Sequence, residues 1–368
     1  MLNNSSSGLP RGVLFALGAA ALFGLSTPIS KLLVGGVHPV MLAGLLYGGS
    51  GIGLSVWALV RWLLARNRAV ESSEAPLTWA DLPWLGGAVF FGGVCGPLLL
   101  MWGLTTTPAS VASLLLNLEG VATALLAWFV FRENFDRRIA LGMLAIVAGG
   151  TLLSWTGGRL SFPLGAVLIA GACLCWGIDN NLTQKVSASD PFQITAIKGL
   201  VAASVNCSIA LRLGAHFPSP GTFALALIAG FGGYGLSLVL FVLALRHIGT
   251  ARTGAYFSLA PFVGALVSLL LLREHIGVLF LGAGALMGLG VWLHLSERHE
   301  HGHHHEPMEH SHKHTHDEHH HHAHAPGINP REPHSHPHVH EEMGHAHPHF
   351  PDIHHRHSHA ATVLENSQ

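Results

Sequence analysis

Residues 108–133 read PASVASLLLNLEGVATALLAWFVFRE, and residues 249–274 read GTARTGAYFSLAPFVGALVSLLLLRE. The two stretches follow one pattern at an offset of 141 positions: a start in small residues, a long apolar run, and a closing Arg-Glu. Each run approaches the roughly 20 mostly apolar residues that carry a helix across a bilayer. Further out, Gly92 matches Gly233 at the same offset. At an offset of 153, Gly12 matches Gly165, Ala19 matches Ala172, and Phe23-Gly24 matches Trp176-Gly177. The offset falls by 12, which the longer polar loop at 65–78 of the first copy absorbs.

Ten such runs follow one another, at about 12–34, 39–63, 82–104, 109–131, 138–156, 163–185, 191–213, 222–245, 252–272 and 276–295. Each copy of the repeat therefore holds five spans. Five is odd, so the second copy lies upside down relative to the first, the arrangement of inverted-repeat transporters with a site near the midplane. The expected fold is an all-α polytopic membrane protein. Its ten transmembrane helices form two inverted five-helix repeats, 12–156 and 163–296, after an N-terminal segment 1–11 and before a disordered tail 297–368. Composition agrees: 49% of residues are hydrophobic and 11% charged, against roughly 25% charged in soluble domains.

Charge sets the expected orientation. With the N-terminus inside, eleven Lys and Arg fall on inner segments and four (Lys31, Arg159, Arg212, Arg273) on outer ones, which places both termini in the cytoplasm. Trp62, Trp79, Trp84, Trp102 and Trp155 stand near span ends, as an interfacial belt does. Met1–Pro10 has no basic residue and the first span belongs to the repeat, so it is read as a retained helix and not a cleaved signal peptide. The four cysteines, Cys95, Cys173, Cys175 and Cys207, all lie in apolar runs and form no C-x-x-C pair, so neither a disulfide framework nor a thiolate metal motif is expected.

The pattern resembles proteins with two EamA domains in the drug/metabolite transporter superfamily. The residues that carry the likeness are Pro108-Ala109-Ser110-Val111-Ala112, Leu114-Leu115-Leu116-Asn117-Leu118-Glu119 and Arg132-Glu133. They are echoed by Gly249-Thr250-Ala251, Ser258-Leu259-Ala260-Pro261 and Arg273-Glu274. The likeness covers about residues 12–296 and implies a ten-helix carrier of small solutes, often an exporter. The second span departs from it: many relatives carry an arginine where this chain reads Leu45-Leu46-Tyr47.

Charges within a span cost roughly 2.5–3.5 kcal/mol on insertion scales and mark functional sites by default. Glu119 falls at the centre of span 4, Lys198 near the centre of span 7, and Asp179-Asn180-Asn181 in span 6. Helix-breaking residues recur at matching points of the two halves. Ser26-Thr27-Pro28 faces Asp179-Asn180-Asn181, and Glu119-Gly120 faces Ala260-Pro261. Such pairs point to a substrate site lined by unwound backbone. The candidate cavity comprises Glu119, Asn117, Asp179, Asn180, Asn181 and Lys198, with Glu119 as proton carrier in antiport and Lys198 as its counter-charge or as contact for a substrate anion. The plainer alternative is an ion pair, Glu119–Lys198 or Asp179–Lys198, that only holds helices together. Lys31 and Lys185 at span ends read as snorkelling side chains. No G-x-x-x-x-G-K-[ST] occurs, so nothing suggests ATP-driven pumping.

Residues 1–298 carry a net charge of +6, residues 299–368 one of −7, and the latter hold 25 of the 30 histidines. Most recur in H-x-H steps: His301, His303, His310, His312, His314, His316, His334, His336, His338, His340, His345, His347, His349, His354, His355, His357 and His359, with His319, His320, His321 and His322 as the one run of four. Neutral imidazole is the commonest metal ligand near pH 7, so this tract is expected to bind Zn, Ni, Co or Cu ions. The alternative is an acidic tail that responds to pH.

The leading expectation is a secondary transporter, an exporter of small metabolites across a bacterial-type inner membrane, with a tail that buffers metal or regulates. The alternatives are a divalent transition-metal transporter fed by the tail, and a membrane metal store or sensor that moves nothing. Against the metal carrier, only His294 of the five histidines outside the tail lies within a span. No nucleophile elbow or H-E-x-x-H occurs, so no enzyme is expected. The expected partners are a small-molecule substrate, the lipid bilayer and transition-metal ions. No cofactor is required, no nucleic acid is expected, and a homodimer is left open.

Overall fold

The computed structural model describes residues 11–65, 77–131, 137–156, 159–160, 163–186, 189–295, 300–305, 308–314, 334–340 and 343–348. The chain divides into a helical unit, 1–70 with 76–297, and a tail unit, 71–75 with 298–368.

Apolar runs without water must satisfy their backbone internally, and single helices do this. The first repeat holds α1 (Arg11–Val34), α2 (Pro39–Ala65), α3 (Leu82–Ala88), α4 (Gly96–Thr106), α5 (Ala109–Leu115), α6 (Leu118–Phe131) and α7 (Arg137–Leu153). A short ladder of β1 (Trp155–Thr156) with β2 (Arg159–Leu160) leads to the second repeat. There follow α8 (Leu164–Gln184), α9 (Pro191–Arg212), α10 (Pro220–Gly230), α11 (Ser237–Phe257), α12 (Ala260–Leu272) and α13 (Val278–Leu295). Caps start α9 and α10 cleanly: Asp190 and Ser219 accept from Phe192 N and Thr222 N, and Pro191 and Pro220 sit first inside. Among the described residues, seven helical stretches are long and apolar enough to cross a bilayer. The shorter α7, α12 and α13 (17, 13 and 18 residues) take the remaining places in a ten-span order.

The packing occurs twice. α8 lies against α4 and α6, and α1 lies against α11 and α12. α2 pairs with α9, and α7 with α13. The close approaches repeat as well. A Cβ on Gly24 would stand 2.5 Å from the Ala260 carbonyl oxygen, and one on its repeat mate Gly177 would stand 2.9 Å from the Ala122 Cβ. Small residues let backbones touch where lipid offers no hydrophobic drive. Met41, Leu42, Leu46, Leu100, Met101, Leu104 and Ile169 fill the core where α2, α4 and α8 meet. Trp57, Phe129, Leu144, Leu270 and Trp292 are exposed on the outer faces, as lipid contact requires, and all five tryptophans read as a belt are exposed.

Helix irregularity falls partly elsewhere than expected. α1 runs unbroken through Pro28 and α8 through Asp179-Asn180-Asn181. Pro28 leaves the Gly24 carbonyl without its helical donor, and that carbonyl lies against Gly264 of α12. The breaks are at Leu116-Asn117, between α5 and α6, and at Ser258-Leu259, between α11 and α12. These are matching points of the two halves, close to Glu119-Gly120 and Ala260-Pro261. Two π-helical turns, Val89–Cys95 and Phe231–Leu236, stand at matching points of spans 3 and 8. α11 also reverses direction. The rings of Phe241 and Phe257 lie 4.9 Å apart, whereas sixteen residues of straight helix would separate them by about 24 Å.

Four short stretches of the tail are described. β3 (Glu300–His305) pairs antiparallel with β6 (Met343–Pro348), and β4 (Met308–His314) with β5 (His334–His340). The H-x-H step has a period of two, the period of a strand.

Candidate functional site

The site begins with the two π-helical turns. A π turn widens the helix and loosens its carbonyls from their usual donors. The carbonyl of Gly92 accepts from Tyr47 Oη of α2 at 2.6 Å and from Trp176 Nε1 of α8 at 3.0 Å. The neighbouring Gly93 carbonyl accepts from Asn206 Nδ2 of α9 at 3.0 Å. Gly92 also lets α8 come close, since a Cβ there would stand 1.9 Å from Asp179 Oδ2. The repeat mate, Gly233, meets Ser26 in the same way, with Ser26 Cβ 2.7 Å from the position of an added Cβ.

Five of the six cavity residues expected from sequence come together around this turn. Asp179 and Lys198 form an ion pair between α8 and α9, both largely buried. Thr183 Oγ1 donates to the other Asp179 oxygen at 2.9 Å. On the next residue of α8, Asn180 Nδ2 donates to Glu119 Oε1 at 2.9 Å and to Thr123 Oγ1 at 3.2 Å, joining α8 to α6. Asn181 Nδ2 donates to the Gly177 carbonyl at 2.8 Å and the Thr123 carbonyl at 3.3 Å, closing the α6–α8 contact. Asp179 and Asn181 are buried, Lys198 largely so, Glu119 half-buried, and Asn180 exposed.

Asn117 stands apart. Its Nδ2 donates to the Leu114 carbonyl at 2.9 Å and approaches Met287 Sδ at 3.9 Å, so it closes the α5–α6 break instead of joining the charged cluster. Tyr47, Trp176 and Asn206 were not singled out from sequence. Their acceptors are backbone carbonyls, and only the π turn makes those available.

Among the described residues no three His, Cys, Asp or Glu side chains gather into a metal site. Of the tail histidines named above, His316, His319–His322, His349, His354, His355, His357 and His359 lie outside the described residues. The others are placed by strand register alone: His301 opposite His347, His303 opposite His345, His310 opposite His338, His312 opposite His336, and His314 opposite His334.

A single family model, the EamA-like transporter family, matches residues 10–155 and again 163–296. The chain belongs to the EamA-like transporter family. It is a multi-pass membrane protein, and its relatives are transporters by name. An uncharacterized transporter of Methanothermobacter thermautotrophicus is 31% identical over 294 residues, covering 77% of this chain and 85% of that one. A probable terminal-alkyne amino-acid exporter of Streptantibioticus cattleyicolor is 25% identical over 250 residues, covering 67% and 84%. A probable 4-amino-4-deoxy-L-arabinose-phosphoundecaprenol flippase subunit ArnE of Erwinia tasmaniensis is 38% identical over 86 residues, covering 23% and 73%. One solved crystal structure shares the fold, with a TM-score of 0.57 at 15% identity, covering 77% of this chain and 94% of that one. EamA membership brings a small-molecule substrate and a bilayer setting with it.

Proposed function

We propose that this EamA protein is a proton-coupled exporter of small amine-bearing organic solutes, with Glu119 as the coupling carboxylate. The observation that carries the reading is how the three intramembrane charges are shared out. Lys198 is held by Asp179, which leaves Glu119 with an amide donor from Asn180. The cluster therefore carries one carboxylate more than it has ammonium groups, and its exposed member, Asn180, stands beside that carboxylate. A solute ammonium fits there, and so does a proton. In exchange, one replaces the other at Glu119. The amino-acid exporter among the relatives supports the same substrate chemistry.

The orientation follows from the Lys and Arg count: both termini cytoplasmic, in a bacterial-type inner membrane. In this reading the tail binds transition-metal ions and regulates or buffers, as an accessory to transport. Its support is the histidine-on-histidine register of two ladders and the suitability of imidazole for Zn, Ni, Co and Cu. The charged cluster itself holds carboxylates, amides and a lysine, a donor set poorly suited to those ions. A homodimer is compatible with this reading and is not needed for it.

The test compares growth and intracellular metal content for the full-length, 1–298 and Glu119→Gln forms under Ni, Co, Zn and Cu stress. Organic cargo is expected to leave metal content equal in the full-length and Glu119→Gln forms, with any change in the 1–298 form limited to the metal its tail would hold. A metal change that both alterations abolish would make metal the cargo and overturn the reading.

A further inference from the structure

At one end of the bundle, two charged side chains hold the junction between α4 and α5. Lys31, in the last turn of α1, donates to the carbonyls of Leu104 at 2.5 Å and Thr107 at 2.9 Å, at the C-terminal end of α4. Glu274, just beyond α12, accepts from the backbone N–H groups of Ala109 at 2.7 Å and Ser110 at 2.9 Å, the first of α5. Each charge has the sign its helix end favours, and a carboxylate gripping two N–H groups makes charge-assisted bonds. Both side chains line a cavity of about 530 Å³ with Thr106, Ser110, His275 and Phe280. The two clasps differ in one respect. Lys31 ties α1 to α4 within the first repeat, whereas Glu274 ties the second repeat to the first.

The two repeats also pack against each other near this end. Gly264 of α12 lies against Ser113 of α5, and Leu114, Ala265 and Met287 share one core. The repeat counterpart of the α5–α12 contact is α6 against residues 250–256 of α11. Among the described residues α6 and α11 make no comparable contact. Gly120, midway along its span, and Asn180, in the last two turns of α8, are exposed. Inverted repeats exchange shapes when access alternates, so a bond that crosses between repeats in one state has a symmetry mate in the other.

We propose that Glu274 is a gating residue. Its clasp on the start of α5 latches this end shut, and letting go of those two N–H groups frees the second repeat from the first here. The latch opens and closes once per cycle. The proposal rests on EamA membership and the repeat, and not on the role given to Glu119.

The test reads access at each end without any substrate. The full chain, with its four native cysteines replaced by serine, is placed in lipid nanodiscs. It carries a single cysteine at Thr106 or at its counterpart His247, and the rate of reaction with a polar maleimide is measured. Glu274→Gln is expected to raise the ratio of the Thr106 rate to the His247 rate at least fivefold. Lys31→Met, which cuts the clasp internal to one repeat, is expected to leave the ratio within twofold. The proposal is overturned if Glu274→Gln leaves the ratio within twofold, if it raises both rates alike, or if Lys31→Met shifts the ratio as far as Glu274→Gln does.

Discussion

At the residue scale, the charged groups were legible and their partners were not. Glu119, Asp179 and Lys198 stand out because a charge in an apolar run is costly wherever it points. Which carboxylate Lys198 would meet depends on helix rotation, and the structure gives it to Asp179. Breaking a buried pair by removing one partner costs about 3–5 kcal/mol. Asp179→Asn and Lys198→Met are therefore each expected to lower the thermal midpoint of the purified protein markedly. The double variant is expected to lose less than the sum, since contacting residues couple. Gly92 makes a sharper case. A methyl group there meets Asp179 Oδ2 at 1.9 Å, whereas nothing lies within 4 Å of one on Gly120. Gly92→Ala is expected to abolish the monodisperse peak in size-exclusion chromatography, and Gly120→Ala to keep it.

At the element scale, the run lengths and the repeat foretold the helices but misplaced part of their irregularity. Pro28 and the Asp179-Asn180-Asn181 cluster look like breaks in a sequence, yet α1 and α8 carry them without interruption. The π turns at Val89–Cys95 and Phe231–Leu236 carry no proline within them and have only glycine to announce them, a residue common throughout the chain. Their stability comes from side chains remote in sequence, as at the Gly92 carbonyl, which holds Tyr47 and Trp176 together. Tyr47→Phe and Trp176→Phe are each expected to destabilise by about 1 kcal/mol, the net worth of one hydrogen bond. The pair is expected to cost more than the sum, because the carbonyl then loses both donors. Thermal unfolding of the two single variants and the double variant checks this.

At the scale of the whole molecule, the inverted duplication was legible because each half repeats the other's landmarks at a steady offset. Which end stands open was not legible, because two access states share one sequence and differ only in which inter-repeat contacts are made. The tail was read by composition and shows strand pairing by period. Its placement outside the repeats suits an accessory role, so truncation to 1–298 is expected to spare transport while removing most metal binding, measured by titration of Zn²⁺ or Ni²⁺ into the purified full-length and truncated forms. The central claim is that Glu119 couples proton movement to an organic amine. The most direct measurement is proton flux in proteoliposomes holding a pH dye, driven by gradients of small amino acids, for the full-length, 1–298 and Glu119→Gln forms. The account expects solute-driven flux in the first two and none in the third. Flux that survives Glu119→Gln, or that appears only with Zn²⁺ or Ni²⁺ and vanishes with the tail, would contradict it.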